Sequence, residues 1–239
     1  MISVIIPALN EAKTIAKVVD YCNRYPKVSE VIVVDDCSSD STAAIARQAG
    51  AKVITSFTRG KGASMKDGLA HAENEIIVFL DADIDPYPAN MLHLICTPLL
   101  NDEQDFIKAR FSRNSGRVTE LLAKPLLSIF FPELTSYEQP LGGMIAGRKR
   151  FFENIRFFND YGVDIGILID MHIQEARIAE VHIGHIENKS KPLKELGRMS
   201  REVANAILFK AFRHSNVPAP FQPEDILSST SQYEYSITR

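Results

Sequence analysis

The feature that most constrains this chain is a rhythm in its first half. Residues 2–6, 31–34, 52–55 and 75–80 are short, β-branched, nearly continuous apolar runs, and helical patterns at 11–24, 40–49 and 63–72 lie between them. Strands alternating with helices demand a largely parallel sheet, because a parallel pair needs a crossover. Strands without polar alternation demand helices over both faces of that sheet. Ile15, Val18, Val19 and Cys22 share one helix face. Ser38 and Ser39 are good capping residues ahead of the helix at 40–49. The expected fold class is α/β, a mostly parallel central sheet with helices on both faces.

The second half is less regular. Its pattern predicts helices at 88–100, 118–130, 163–176 and 193–214, strands at 105–110 and 177–186, and a strand opened by Gly142 and Gly143. Residues 112–116 read as a polar loop. Residues 217–239 carry no period and are rich in Pro, Ser and Gln, as a tail would be. The expected organisation is one compact domain of two halves, 1–115 and 116–215, followed by a polar tail, 216–239. Leu193, Leu196, Met199, Val203, Ile207 and Leu208 form an apolar stripe that suits either a core-facing helix or a homodimer seam.

Composition excludes several partners. A net charge of −3 gives nucleic acid no global attraction. The apolar run 121–131 is too short to span a bilayer and carries Lys124 and Pro125, so it reads as a core helix, or else a face toward a membrane surface or partner. Cys22, Cys37 and Cys96 make neither a disulfide framework nor a zinc pattern, which fits a reducing, cytoplasmic setting.

Chemistry is expected at the carboxyl ends of the strands, where open parallel sheets bind ligands. The first strand ends in Pro7-Ala8-Leu9-Asn10-Glu11, with no glycine cradle for phosphate. The second ends in Asp35-Asp36-Cys37-Ser38, able to accept hydrogen bonds from a base or ribose, or merely an acidic helix entry. Arg59-Gly60-Lys61-Gly62 offers close backbone approach and a point charge, or a plain surface turn. Asp81-Ala82-Asp83 sets two carboxylates at the tip of a buried strand, an unfavourable arrangement that a hard cation such as Mg²⁺ or Mn²⁺ relieves.

In this order the four tips resemble the nucleotide-binding half of the GT-A glycosyltransferases, over residues 2–100. The resemblance implies a Rossmann-like donor half fused to an acceptor half, and a nucleotide-sugar donor, a UDP- or GDP-hexose. It assigns Pro7, Ala8, Leu9 and Glu11 to the nucleoside, and Asp35, beside Asp36, to the base. Lys61 falls to the donor, Asp81 and Ala82 to the ribose side, and Asp83 to the metal.

Further on come Gly116-Arg117-Val118-Thr119-Glu120-Leu121, Gln139-Pro140-Leu141-Gly142-Gly143, Tyr161-Gly162-Val163-Asp164 and Pro192-Leu193-Lys194-Glu195-Leu196-Gly197. This series is similar to the glucosyl-3-phosphoglycerate synthases, which are retaining enzymes, and to the related mannosyl-3-phosphoglycerate synthases. It implies that Gly116, Arg117, Val118 and Thr119 bind a small anionic acceptor, that Leu141, Gly142 and Gly143 line the sugar pocket, and that Tyr161 and Asp164 face the transferring hexose. Two departures stand out. Asp164 replaces a glutamate, setting the carboxylate back by about 1.5 Å. Ile186-Glu187-Asn188-Lys189-Ser190 replaces Arg-Glu-His-Arg-Asn, so Asn188 takes the place of a metal-binding histidine and Ile186 that of an acceptor-side arginine. Lys189 and Lys191 are the expected substitutes for that charge. The alternatives are transfer to polyprenyl phosphate or a sugar, and a degenerate, non-catalytic nucleotide-binding module.

Overall fold

The computed structural model describes residues 1–112, 116–186 and 193–214. Among these, seven strands form one sheet in the order β3-β2-β1-β4-β6-β5-β7. The strands are β1 (Ile2–Ala8), β2 (Val28–Asp35), β3 (Lys52–Thr55), β4 (Ile76–Phe79), β5 (Phe106–Ser112), β6 (Ile145–Arg148) and β7 (Ile178–His185). All neighbours run parallel except β6, which is antiparallel to both β4 and β5. β6 starts at Ile145, so Gly142 and Gly143 end a loop rather than open a strand.

The chain reverses its direction of travel across the sheet between β1 and β4. That is the switch point at which strand tips part and leave a crevice. Side-chain alternation divides the core in two. Ile107, Ala109 and Phe111 of β5 join one layer, with α1 (Ile15–Asn23) and α4 (Met91–Leu100). Phe106 joins the other, with Met65 of α3 (Lys61–His71), Ile165 of α7 (Val163–Ile173) and Val203 of α8 (Leu193–Arg213). α2 (Thr42–Gln48), α5 (Lys124–Phe130) and the short α6 (Lys149–Glu153) complete the helices.

Two boundaries in the helices move for local reasons. α1 begins at Ile15 rather than Glu11, because the Glu11 amide is taken by Thr42 Oγ1 at 2.8 Å and residues 11–14 close a turn. The single helix expected at 118–130 is a π-helical turn, Thr119–Ala123, followed by α5. Pro125 has no amide to offer the carbonyl four residues back, and a wide turn accommodates that loss. The apolar stripe of α8 faces the core: Val203, Ala206, Ile207 and Ala211 are buried, and Leu196, Met199 and Leu208 pack against them. The expected tail lies outside the described residues.

Candidate active site

The crevice between β1 and β4 is built by two laced loops. Asn10 and Cys37 both adopt positive φ, of 59° each. The Asn10 amide donates to Ser38 Oγ at 2.9 Å, the Ser39 amide to Asn10 Oδ1 at 2.8 Å and the Ala12 amide to Asp40 Oδ2 at 3.2 Å. The lacing fixes the tips of β1 and β2 side by side. Asp35 is buried there, and the Asp36 carboxylate accepts the Gly60 amide at 3.0 Å on both oxygens. Asp36 thus holds the loop that carries Lys61. The side chains of Ala8 and Ala82 belong to the core, so only their backbone faces the crevice. Leu9 is exposed at its rim.

The glycines around Lys61 let the start of α3 pack closely against the segment before α7. Gly60 has φ 134°, where a side chain is strained, and a Cβ on it would lie 2.2 Å from the Asn159 carbonyl oxygen. On Gly62 a Cβ would lie 1.7 Å from the Phe158 oxygen. The first turn of α3 therefore abuts the segment leading into α7, with the Gly62 amide donating to Asn159 O at 3.1 Å. That contact brings Lys61 to Asp164, over a hundred residues away.

Lys61 Nζ donates to Asp164 Oδ2 at 2.9 Å and lies 3.1 Å from Asp81 Oδ1. The Lys61 and Asp81 side chains are 21% and 28% exposed, Asp164 only 4%. Burial opposes charge on Lys61, but Asp164 and Asp81 outweigh it and hold the ammonium well above the ordinary lysine range. Burial raises the Asp164 carboxyl above its ordinary value, with Lys61 opposing. Among the described residues, Asp164 Oδ1 is buried with no hydrogen-bond partner. A Cβ on Gly143 would come 2.3 Å from Lys61 Nζ and 2.8 Å from Asp81 Oδ1, so any side chain there would displace the ends of this cluster. Tyr161, half-buried, begins the turn into α7, its amide donating to Glu202 of α8 at 3.3 Å.

Asp83 is exposed beyond the β4 tip. The Glu11 carboxyl is raised above its ordinary value first by burial and then by the charge of Asp83. Paired acids with oxygen ligands suit a hard divalent ion. Among the described residues no three His, Cys, Asp or Glu groups cluster to hold a metal by themselves. An ion at Asp83 would take its other ligands from a bound diphosphate, from water or from Asn188, which lies outside the described residues, as do Lys189 and Lys191.

A cleft of about 340 Å³ is lined by Gly116, Thr119, Arg110, Lys124, Gln139 and His182, among others, and the loop from Gln139 to Gly143 joins it to the Lys61 cluster. Arg110 is paired with Glu138 at 3.0 Å and Lys124 with Glu120 at 2.6 Å, while His182 Nε2 meets Ser112 Oγ at 3.0 Å. Arg117 is exposed at the start of the helical segment, and the Val118 side chain is in the core, so Val118 meets a ligand only through its backbone. Ile186 is buried in the opposite core layer. Sequence patterns did not single out Lys108 or Arg110, and His182, a lone histidine on a strand, reads from sequence as structural rather than as a ligand. The available signal was polar residues at 108, 110 and 112, two apart in a strand whose other positions are apolar.

Residues 3–156 match the model for glycosyl transferase family 2. The chain is 36% identical over 234 residues to the glucosyl-3-phosphoglycerate synthase of Petrotoga mobilis, covering 87% of this chain and 72% of that one. The crystal structure of glucosyl-3-phosphoglycerate synthase from Mycobacterium tuberculosis with Mn²⁺, UDP-glucose and phosphoglyceric acid superposes with a TM-score of 0.84 at 35% identity, over 91% of this chain and 80% of that one. The same enzyme with Mg²⁺ and UDP gives 0.83, at 35% identity, over 91% and 80%.

Proposed function

The chain belongs to glycosyl transferase family 2 and, within it, to the glucosyl-3-phosphoglycerate synthases, and on that premise we propose that it transfers glucose from UDP-glucose to 3-phosphoglycerate. The observation that carries the reading is the convergence of Lys61, Asp81 and Asp164 against Gly143, joined by the loop from Gln139 to a cleft bordered by Gly116 and Thr119. Glu11, Asp35 and the backbone of 7–9 would hold the nucleoside. Asp83 would hold Mg²⁺ or Mn²⁺, which when bound neutralises charge on the departing diphosphate. In the transfer the bond from the anomeric carbon to the diphosphate breaks, the acceptor oxygen bonds to that carbon with retention, and the acceptor's proton leaves with the diphosphate.

Asp164 and Tyr161 would face the hexose. With Oδ2 held by Lys61, the Asp164 carboxylate has Oδ1 left to accept a sugar hydroxyl. Positive charge for the acceptor would come from Arg117, Arg110 and Lys124. Arg117→Ala is expected to raise the acceptor KM about ten- to a hundredfold, the worth of one charge-assisted contact, and to leave donor hydrolysis unchanged. Steady-state kinetics against 3-phosphoglycerate measure this. An unchanged KM would remove Arg117 from the acceptor site.

Among the described residues no helix is long and apolar enough to cross a membrane. With Cys22, Cys37 and Cys96 all free, the reading places the protein in the cytoplasm. It also includes a homodimer. The α8 stripe is used by the core, so the seam would involve exposed apolar residues such as Leu121 and Phe212.

A further inference from the structure

Lys108 is a fully buried lysine outside the cluster already described. It sits mid-strand in β5, is 0% exposed, and donates from Nζ to the Gly142 carbonyl oxygen at 2.8 Å. Its register partner on β7 is Glu180. The Glu180 carboxylate accepts the amides of Glu138 and Gln139, each at 2.9 Å. One loop, residues 138–143, is thus gripped at its entrance by an acid and at its exit by a base, from adjacent strands. The far end of that loop is Gly143, which lies against Lys61 and Asp81.

We propose that Lys108, seconded by Glu180, is a positioning residue for glycosyl transfer: its charged amine fixes the Gly142-Gly143 backbone at the height the sugar of the donor requires. This rests on the donor reading given above. A buried ammonium is unfavourable without partners, and an apolar side chain of similar length would fill the same space. A wall for core packing alone needs no charge there; a backbone carbonyl held in one orientation beside a reacting sugar does. Because 108, 110 and 112 share a strand face, the same strand also carries Arg110 and Ser112 into the neighbouring cleft. The charges that act on Lys108 are those of Asp164 on α7, Glu180 on β7, Lys61 on α3 and Asp81 beyond β4. Burial, the largest influence, brings its pKa down to about 8 despite the acids.

The test compares wild type, Lys108→Met and Glu180→Gln, with folding checked by circular dichroism. Titration with UDP in Mn²⁺ and initial rates across pH 6.5–9.5 with UDP-glucose and 3-phosphoglycerate are measured. Lys108→Met is expected to lower kcat about ten- to a hundredfold while the UDP Kd stays unchanged, since the residue orients the sugar loop and not the nucleotide. The wild-type kcat is expected to fall as pH rises through the lysine's titration. Glu180→Gln removes a carboxylate that favours the ammonium, so that fall moves to lower pH. If folded Lys108→Met keeps wild-type kcat, or if Glu180→Gln leaves the alkaline fall where it was, the positioning role is wrong. If wild type itself neither binds UDP nor transfers glucose, the donor reading fails first and takes this inference with it.

Discussion

Lys61→Met is expected to lower stability by about 3 kcal/mol, the lower end for breaking a buried ion pair because Lys61 keeps some solvent contact, and turnover by at least about a hundredfold. The stability loss comes from Asp164, which is 4% exposed and loses the cation on its Oδ2. Burial already raises this carboxyl, and removing Lys61 raises it further. A carboxyl whose folded pKa exceeds its unfolded one binds its proton more tightly when folded, so its contribution is present in acid and lost as pH rises through the folded pKa. The Lys61→Met protein should therefore unfold more readily at neutral than at mildly acidic pH, relative to wild type. Adding Asp164→Asn should recover most of the stability and none of the turnover. Urea melts at two pH values, together with the double-variant kinetics, separate these contributions. Full stability in Lys61→Met would mean that Asp164 does not depend on the pair.

Asp83→Asn should leave the fold intact and reduce turnover about a hundred- to a thousandfold, the range for losing a group that stabilises charge developing in the transition state. Asp83 is exposed beyond β4, so its replacement disturbs no core packing. The same change relieves repulsion on Glu11, whose carboxyl should then titrate closer to its ordinary value. The measurement is kcat with saturating Mn²⁺, alongside metal affinity by titration in the presence of UDP. Near-normal turnover from a folded Asp83→Asn protein would remove Asp83 from the metal site.

The donor half was legible because its signals are local. A β-branched run ending in Asp81-Ala82-Asp83 marks the strand and where its tip falls, and the sheet order brought these tips together as expected. What the sequence concealed are relations across long separations. The purpose of Gly60 and Gly62 is visible only once residues 158–159 lie against them. That Asp36 braces Gly60 was not legible, because an acid at a strand tip carries no sign of which amide it will meet. Lys108 lay inside a strand that was recognised, yet a lysine among apolar neighbours reads as a surface position until β6 and β7 enclose it. β6 was legible as a strand opened too early, at Gly142, and its antiparallel direction is set by pairing with β4 and β5, which sequence alone does not show.

The most direct test of the central claim is to incubate the purified chain with UDP-glucose, 3-phosphoglycerate and Mn²⁺ or Mg²⁺, and to follow UDP release and product mass together. The account expects one UDP per glucosyl-3-phosphoglycerate formed, with the anomeric configuration of the donor preserved and no product when the metal is chelated. UDP release without any glycosylated phosphoglycerate, or efficient transfer only to an uncharged sugar or a lipid alcohol, would contradict it.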